Sequence, residues 1–194
     1  MTAAVILAGG QSTRMGRDKA LIQVDGQSLL MRTCGVAQGL GLPIYVVTPW
    51  SDRYRDQVPS GCRFMSDESE AQGPLVALGQ AWRSLPEAQD WVLLLACDLP
   101  CLTAAALHPH VAQLPDRLPS TGVAWLPRRG DRWEPLCGFY HRAGQLALEA
   151  YIAQGGRSFQ GWLATVIVQE LPLSDRTILF NCNSPEDLAN RPHG

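Results

Sequence analysis

Residues 7–21 read LAGGQSTRMGRDKAL and follow directly on the apolar run AAVI. Two adjacent glycines, three basic side chains (Arg14, Arg17 and Lys19) and small hydroxyl residues are packed into that interval. Glycine lets a backbone turn sharply and lets its N–H groups approach a ligand with no Cβ in the way. Amides converging on phosphate oxygens, with cations beside them, would make an anion cradle. The Walker spacing is not met, because five residues separate Gly10 from Gly16 and Arg17 stands in the lysine place. The G-x-G-x-x-G dinucleotide spacing is not met either. Gly9-Gly10 alone is equally a tight strand exit, and surface arginines are usually just solvated. Arg14 and Lys19 in the same loop tip the reading toward phosphate, without naming the phosphate compound.

Two acidic positions complement that loop. Asp98 ends the most apolar run of the chain, WVLLLAC, and is followed by Leu-Pro. An aspartate there either caps a turn or offers a hard oxygen to magnesium, which is typically held by one or two carboxylates plus substrate phosphates. Asp67 follows CRFM, but Glu68 and Glu70 beside it are equally those of an acidic surface loop. A phosphate cradle and a metal carboxylate together suggest a nucleoside triphosphate.

Positioning these residues is the work of alternating strands and helices. Ala3 to Ala8, Pro43 to Thr48, CRFM, Trp91 to Cys97, Val123 to Leu126, PLCGFYH and TVIVQEL read as strands, and ILF as a further apolar strand end. Helices are expected from near Ser28, with Leu29, Leu30, Thr33, Val36 and Ala37 on one face. Others are expected over Pro74 to Leu85, Thr103 to Gln113, Ala143 to Gln154 and Ser158 to Ala164. SPEDLAN is a last one, with Ser184 as N-cap and Pro185 at its first position. Asp25-Gly26 is a turn, and PRRGDRWE is an exposed arginine-rich one. This alternation implies an α/β sandwich around a mainly parallel sheet. In such sheets ligands bind beyond the carboxyl ends of the strands. Gly9 to Lys19, Thr48, Asp67, Asp98, Asn181 and Asn183 are then candidates to line one edge.

A chain of 194 residues with 46% hydrophobic and 18% charged residues is expected to form one globular domain over residues 1–194. A net charge of -2 removes a global electrostatic case for a nucleic-acid partner. No apolar run reaches the roughly 18 residues of a membrane helix, nor does a signal-like start occur, so cytoplasmic residence is the default expectation. The six cysteines (Cys34, Cys62, Cys97, Cys101, Cys137, Cys182) are expected reduced and mostly buried. Cys97, Cys101, His108 and His110 lack C-x-x-C spacing, and Pro109 separates the histidines, which argues against zinc.

Five blocks together resemble the molybdenum cofactor guanylyltransferase family: LAGGQSTRMGRDKAL, DESEAQGPLVAL, CDLP, EPLCGFY and NCNSPEDL, in the family's order and across almost the whole chain. The resemblance implies a three-layer α/β/α Rossmann-like nucleotidyltransferase fold. It implies an enzyme that moves GMP from Mg-GTP onto molybdopterin, with Mg2+ as cofactor and pyrophosphate as product. Leu7, Ala8 and Gly9 then look like backbone contacts to the guanine nucleotide, and Gly10, Arg14 and Gly16 like the phosphate loop. Lys19 resembles the phosphate-contacting lysine, Asp67 the nucleotide-binding aspartate and Asp98 the magnesium ligand. Asn181 and Asn183 resemble asparagines on the pterin side. The N-terminal half would be nucleotide-binding and the C-terminal half mainly molybdopterin-binding. Molybdoenzymes or molybdenum-insertion proteins are the implied protein partners.

Some family members carry Asn where this chain has Thr48, which offers a single hydroxyl rather than an amide pair. A cytidylyltransferase on the same pterin, a nucleotide-sugar enzyme or a non-catalytic GTP-binding carrier are the alternatives. Gly9-Gly10 resembles the guanylyl branch. Arg128, Arg129 and Arg132 beside Trp133 are either a docking place for an anionic pterin or a protein partner, or an ordinary charged hairpin. The acceptor phosphate needs no general base, since a phosphomonoester's second pKa is roughly 6.

Overall fold

In the computed structural model, which describes residues 1–9, 18–67, 72–114, 122–182 and 185–192, the apolar runs become neighbouring strands of one sheet. In chain order these are β1 (Thr2–Leu7), a small hairpin of β2 (Gln23–Val24) and β3 (Gln27–Ser28), α1 (Leu29–Gly39), β4 (Ile44–Thr48), α2 (Ser51–Tyr54), β5 (Arg63–Ser66), α3 (Pro74–Ser84) and β6 (Trp91–Ala96). There follow α4 (Ala104–Val111), β7 (Ala124–Leu126), a second small hairpin of β8 (Arg128–Arg129) and β9 (Arg132–Trp133), β10 (Cys137–His141), α5 (Gln145–Ala153), α6 (Phe159–Leu163), β11 (Val168–Glu170) and α7 (Pro185–Ala189).

The seven-stranded sheet runs β11-β7-β10-β6-β1-β4-β5. β6, β1, β4 and β5 pair in parallel, as do β11 and β7, while β10 runs antiparallel to both its neighbours. β1 and β6 lie at the centre with every residue from Ala3 to Ile6 and from Val92 to Leu95 fully buried. That is why they read as unbroken apolar runs rather than alternating ones.

Alternation sorts their side chains between two cores. Ala4, Ile6, Leu93 and Leu95 pack with α1, Tyr54 and Leu107 of α4 on one face. Ala3, Val5, Val92 and Leu94 pack with α3, Leu148 of α5 and Phe159 and Trp162 of α6 on the other. The layers are therefore α/β/α, as the sequence implies.

Helix starts follow local chemistry. Ser28 Oγ accepts from the Met31 N–H at 3.1 Å, so the β2–β3 hairpin feeds α1 directly. Thr103 and Ser158 cap α4 and α6 in the same way. Gly73, at φ 88, turns the chain into α3 with Pro74 in its first turn. The Ser184 cap expected for α7 lies outside the described residues.

One expected strand is not one. Arg176–Leu179 is a 3-10 turn, with Asp175 accepting from the Thr177 N–H at 2.8 Å and the Thr177 hydroxyl at 2.7 Å. This acid closes the chain into a turn, and Ile178 and Leu179 are buried against the α1 and α4 face rather than in a ladder. The PRRGDRWE turn is the β8–β9 hairpin. All six cysteines are free thiols, with Cys62 and Cys101 half-buried and the other four buried. No helix among the described residues is long and apolar enough to cross a membrane.

Candidate active site

β1, β4, β5 and β6 all end at the same edge of the sheet, so Leu7, Thr48, Ser66 and Ala96 deliver the residues that follow them to one place. Ala8 extends β1 by donating its N–H to Val47 O at 2.9 Å. A Cβ on Gly9 would lie 3.0 Å from Pro49 Cδ and 3.2 Å from Asp67 Oδ2. Asp67, whose N–H bonds Thr48 O at 3.2 Å, thus rests its carboxylate against the bare Cα of Gly9. Only glycine permits that approach without displacing its neighbours.

Lys19 opens a 3-10 turn, Lys19–Leu21, and its ammonium lies 3.0 Å from Asp98 Oδ2. The two side chains are 20% and 24% exposed, so the pair lies in the cleft wall rather than out in solvent. Residues 79 positions apart are therefore joined directly, Lys19 coming from beyond β1 and Asp98 from beyond β6. A cleft of about 120 Å3 opens between them, bounded by Leu7, Gly9, Lys19, Tyr54, Cys97 and Asp98. Burial, with the Asp98 and Asp18 charges, pushes the Cys97 thiol far above its ordinary range, which favours the protonated thiol.

The C-terminal segment reaches the same edge. The Cys182 N–H donates to Asp98 O at 2.8 Å, which sets half-buried Asn181 beside the aspartate. Leu7, Ala8, Gly9, Lys19, Asp67, Asp98 and Asn181 are thus gathered at one rim. Gly10, Arg14, Gly16, Arg17 and Asn183 lie outside the described residues. Thr48 is buried, with its hydroxyl accepting from the Trp50 N–H at 3.1 Å, so it holds a turn.

Several residues at this edge carry no obvious signal in sequence. Because β10 runs against β6, with Cys137 opposite Leu95 and Ala96 N–H donating to Leu136 O at 3.0 Å, Glu134 enters beside the end of β6. Burial raises its carboxyl above the ordinary range, Arg129 pulls it down, and the Asp98 charge adds to the rise. Arg129 Nε meets Glu134 Oε1 at 2.9 Å, and its guanidinium also donates to Leu179 O. Arg128 stacks over Trp133 at 4.8 Å. Two of the three hairpin arginines therefore work within the fold.

Asp18 was also silent. Its carboxylate accepts from the Tyr54 hydroxyl and from Arg53. One available signal was composition: Lys19 is the only lysine in the chain, every other basic side chain apart from histidine being arginine. Such bias suits a position needing a compact point charge rather than a planar fork.

Residues 4–166 match the family model described as the MobA-like NTP transferase domain. The chain belongs to this family. It is a nucleotidyltransferase of the MobA-like kind. A probable molybdenum cofactor guanylyltransferase of Nostoc sp. is 49% identical over 186 residues, covering 96% of this chain and 88% of the relative. One of Synechococcus elongatus is 46% identical over 188 residues, covering 95% of each. Among solved structures, the molybdopterin-guanine dinucleotide biosynthesis protein A of Archaeoglobus fulgidus superposes with a TM-score of 0.77 at 21% identity, covering 98% of this chain and 96% of that one. At that identity the likeness concerns the fold. The same holds for the 4-diphosphocytidyl-2C-methyl-D-erythritol synthase of Anaerococcus prevotii, which has a TM-score of 0.74 at 11% identity and covers 98% of this chain and 94% of that one.

Proposed function

We propose that the protein transfers GMP from Mg-GTP to the terminal phosphate of molybdopterin, giving molybdopterin guanine dinucleotide and pyrophosphate. The observation that carries the reading is the Lys19–Asp98 pair, 3.0 Å apart at the edge where Gly9 and Asp67 also meet. The family and the names of its relatives at 46–49% identity support the guanine nucleotide and the pterin acceptor.

The donor set fits magnesium. Asp98 is a hard oxygen ligand, and among the described residues no group of three or more His, Cys, Asp or Glu side chains could cage a metal. Magnesium is commonly held by one or two carboxylates with the remaining positions filled by substrate phosphates and water. Asp98 would hold the ion; when bound, it would neutralise charge on the triphosphate and polarise the reacting phosphorus.

The chain's own residues divide the rest of the work. Leu7, Ala8 and Gly9 would offer backbone to the nucleotide, and Asp67 would accept from its base or ribose. Lys19, released from Asp98 by the arriving phosphates, would follow the charge onto the departing pyrophosphate. Arg14, Gly10 and Gly16 would complete the phosphate loop, and Asn181 and Asn183 would face the pterin side. No general base is required, because the attacking phosphate is already dianionic near pH 7. Catalysis then reduces to alignment and electrostatic screening between two anions. The N-terminal half would serve the nucleotide and the C-terminal half mainly the acceptor.

The test is a comparison of GTP, CTP and ATP with molybdopterin, following pyrophosphate release. GTP should be preferred. Preference for CTP would replace guanylyl by cytidylyl transfer, and binding without pyrophosphate release would indicate a carrier.

A further inference from the structure

A lysine ammonium on a four-carbon stem is mobile, and ordering such a side chain costs roughly 2 kcal/mol of rotamer entropy. Something must hold the backbone of Lys19 if its charge is to meet the cleft reproducibly. The preceding residue does this. Asp18 accepts the Ala20 N–H at 3.2 Å and so caps the 3-10 turn that carries Lys19. The Tyr54 hydroxyl lies 2.9 and 2.7 Å from the two oxygens of that carboxylate, and Arg53 Nη1 lies 3.0 Å from Oδ2.

Tyr54 is itself held by packing. It is fully buried in the core and lines the cleft, with its ring edge-on to Trp50 at 6.4 Å. Arg53 covers the Trp50 ring at 5.0 Å, and the Thr48 hydroxyl fixes the Trp50 backbone. An unbroken series of contacts therefore runs from the end of β4, through Trp50 and Tyr54, to Asp18 and Lys19, and finishes on Asp98 at the end of β6. A buried tyrosine hydroxyl needs a partner, and here that partner is the charged group beside the one lysine of the chain. Burial and the Asp18 bond also hold Tyr54 protonated far above its ordinary range, so it remains a donor throughout neutral pH.

We propose that Tyr54, acting through Asp18, is a positioning residue that sets the Lys19 ammonium against Asp98 and the incoming nucleotide phosphates. The phosphate half of this statement rests on the function proposed above; the Asp98 half does not. With residues 18–20 anchored, nucleotide arrival need only swing the lysine stem from carboxylate to phosphate.

The single lysine supplies the probe. Protein labelled with 13C and 15N only in lysine gives a single side-chain ammonium (Nζ–Cε) signal, whose displacement in Asp98→Asn calibrates loss of the ion pair. In Tyr54→Phe, which keeps the buried ring, that signal should move toward its Asp98→Asn position with no nucleotide present. The Kd for Mg-GTP should rise about fivefold to tenfold, the scale of one typical net hydrogen bond, because the lost bond acts on the phosphates only through Lys19. The same substitution in a Lys19→Ala background should then change Kd less than about twofold, because an effect transmitted through Lys19 is non-additive. Arg53→Gln, at the half-exposed donor, should act in the same direction more weakly and serves if Tyr54→Phe is poorly folded. An unmoved lysine signal, or a full Tyr54→Phe cost retained without Lys19, overturns the proposal. A lysine signal that responds to Tyr54→Phe but not to GTP leaves the positioning of the ion pair standing and removes the phosphate role of Lys19.

Discussion

Replacing Gly9 with alanine places a methyl group where the strand end, the β4 turn and Asp67 converge. The added Cβ would sit 3.0 Å from Pro49 Cδ and 3.2 Å from Asp67 Oδ2, whereas ordinary contacts there begin at 3.4 Å. The proline ring must yield by about 0.4 Å and the carboxylate by about 0.2 Å. The ring has little room to yield, because Pro49 sits between Thr48 and Trp50, whose turn the Thr48 hydroxyl closes, whereas the Asp67 carboxylate must turn about its own side-chain bonds and leave its place against Gly9. Overpacking of this kind costs about 1–3 kcal/mol. For a chain of this size that lowers Tm by about 2–12 °C. Displacing Asp67 should also weaken GTP binding, by about tenfold for a misplaced charged contact. Gly35→Ala is the matched control, since α1 leaves that position exposed with nothing within 4 Å of the new Cβ. It should raise stability by about 0.5–1 kcal/mol through helix propensity and leave GTP affinity unchanged. Calorimetric Tm and GTP titration of both variants provide the assay. A Gly9→Ala protein with wild-type Tm and wild-type affinity would refute the reasoning about the strand exit.

Further outcomes follow from the same geometry. Asp98→Ala and Lys19→Ala should each lower guanylyl transfer by at least about 100-fold, the scale of losing one electrostatic stabiliser, and near-normal turnover would remove that residue's role. Gly138→Ala should destabilise by about 3 kcal/mol in denaturant unfolding, because its Cβ would meet Leu126 Cδ2 at 2.5 Å and Trp125 O at 2.9 Å, and a strand backbone cannot step aside. His141 is kept neutral mainly by burial, and its Nδ1 accepts the Ala143 N–H at 3.0 Å. Its folded pKa lies below the ordinary 6.5, so the unfolded chain binds more protons and stability falls as pH drops through 6.5 toward the folded value. His141→Asn, which can still accept that N–H, should flatten the fall of Tm between about pH 7 and pH 5.

Much of this frame was legible in the chain because the relevant signals are local. Ser28, Pro74, Thr103 and Ser158 mark helix starts through their own hydrogen-bonding or φ preference, and β1 beyond Thr2 and the whole of β6 announce themselves as runs with no polar residue to expose. Asp98 was visible because a charge after seven consecutive uncharged residues, Trp91 to Cys97, needs a reason. What stayed hidden is non-local. Nothing in PLCGFYH says that β10 runs against β6, yet that direction alone brings Glu134 to Asp98. The Ile178 to Phe180 run has the composition of a strand, and only the Asp175 cap turns it. Tyr54 sits in a single helical turn, SDRY, too short for periodicity, and its meaning depends on Asp18, 36 positions away.

GTP labelled at its α-phosphate tests most directly whether chemical transfer occurs at the Lys19–Asp98 edge. Incubated with magnesium and molybdopterin, the protein should place the label in the pterin product, with one pyrophosphate released per label transferred, and Asp98→Ala should not. Label that stays in bound GTP, with no pyrophosphate formed, would contradict the account.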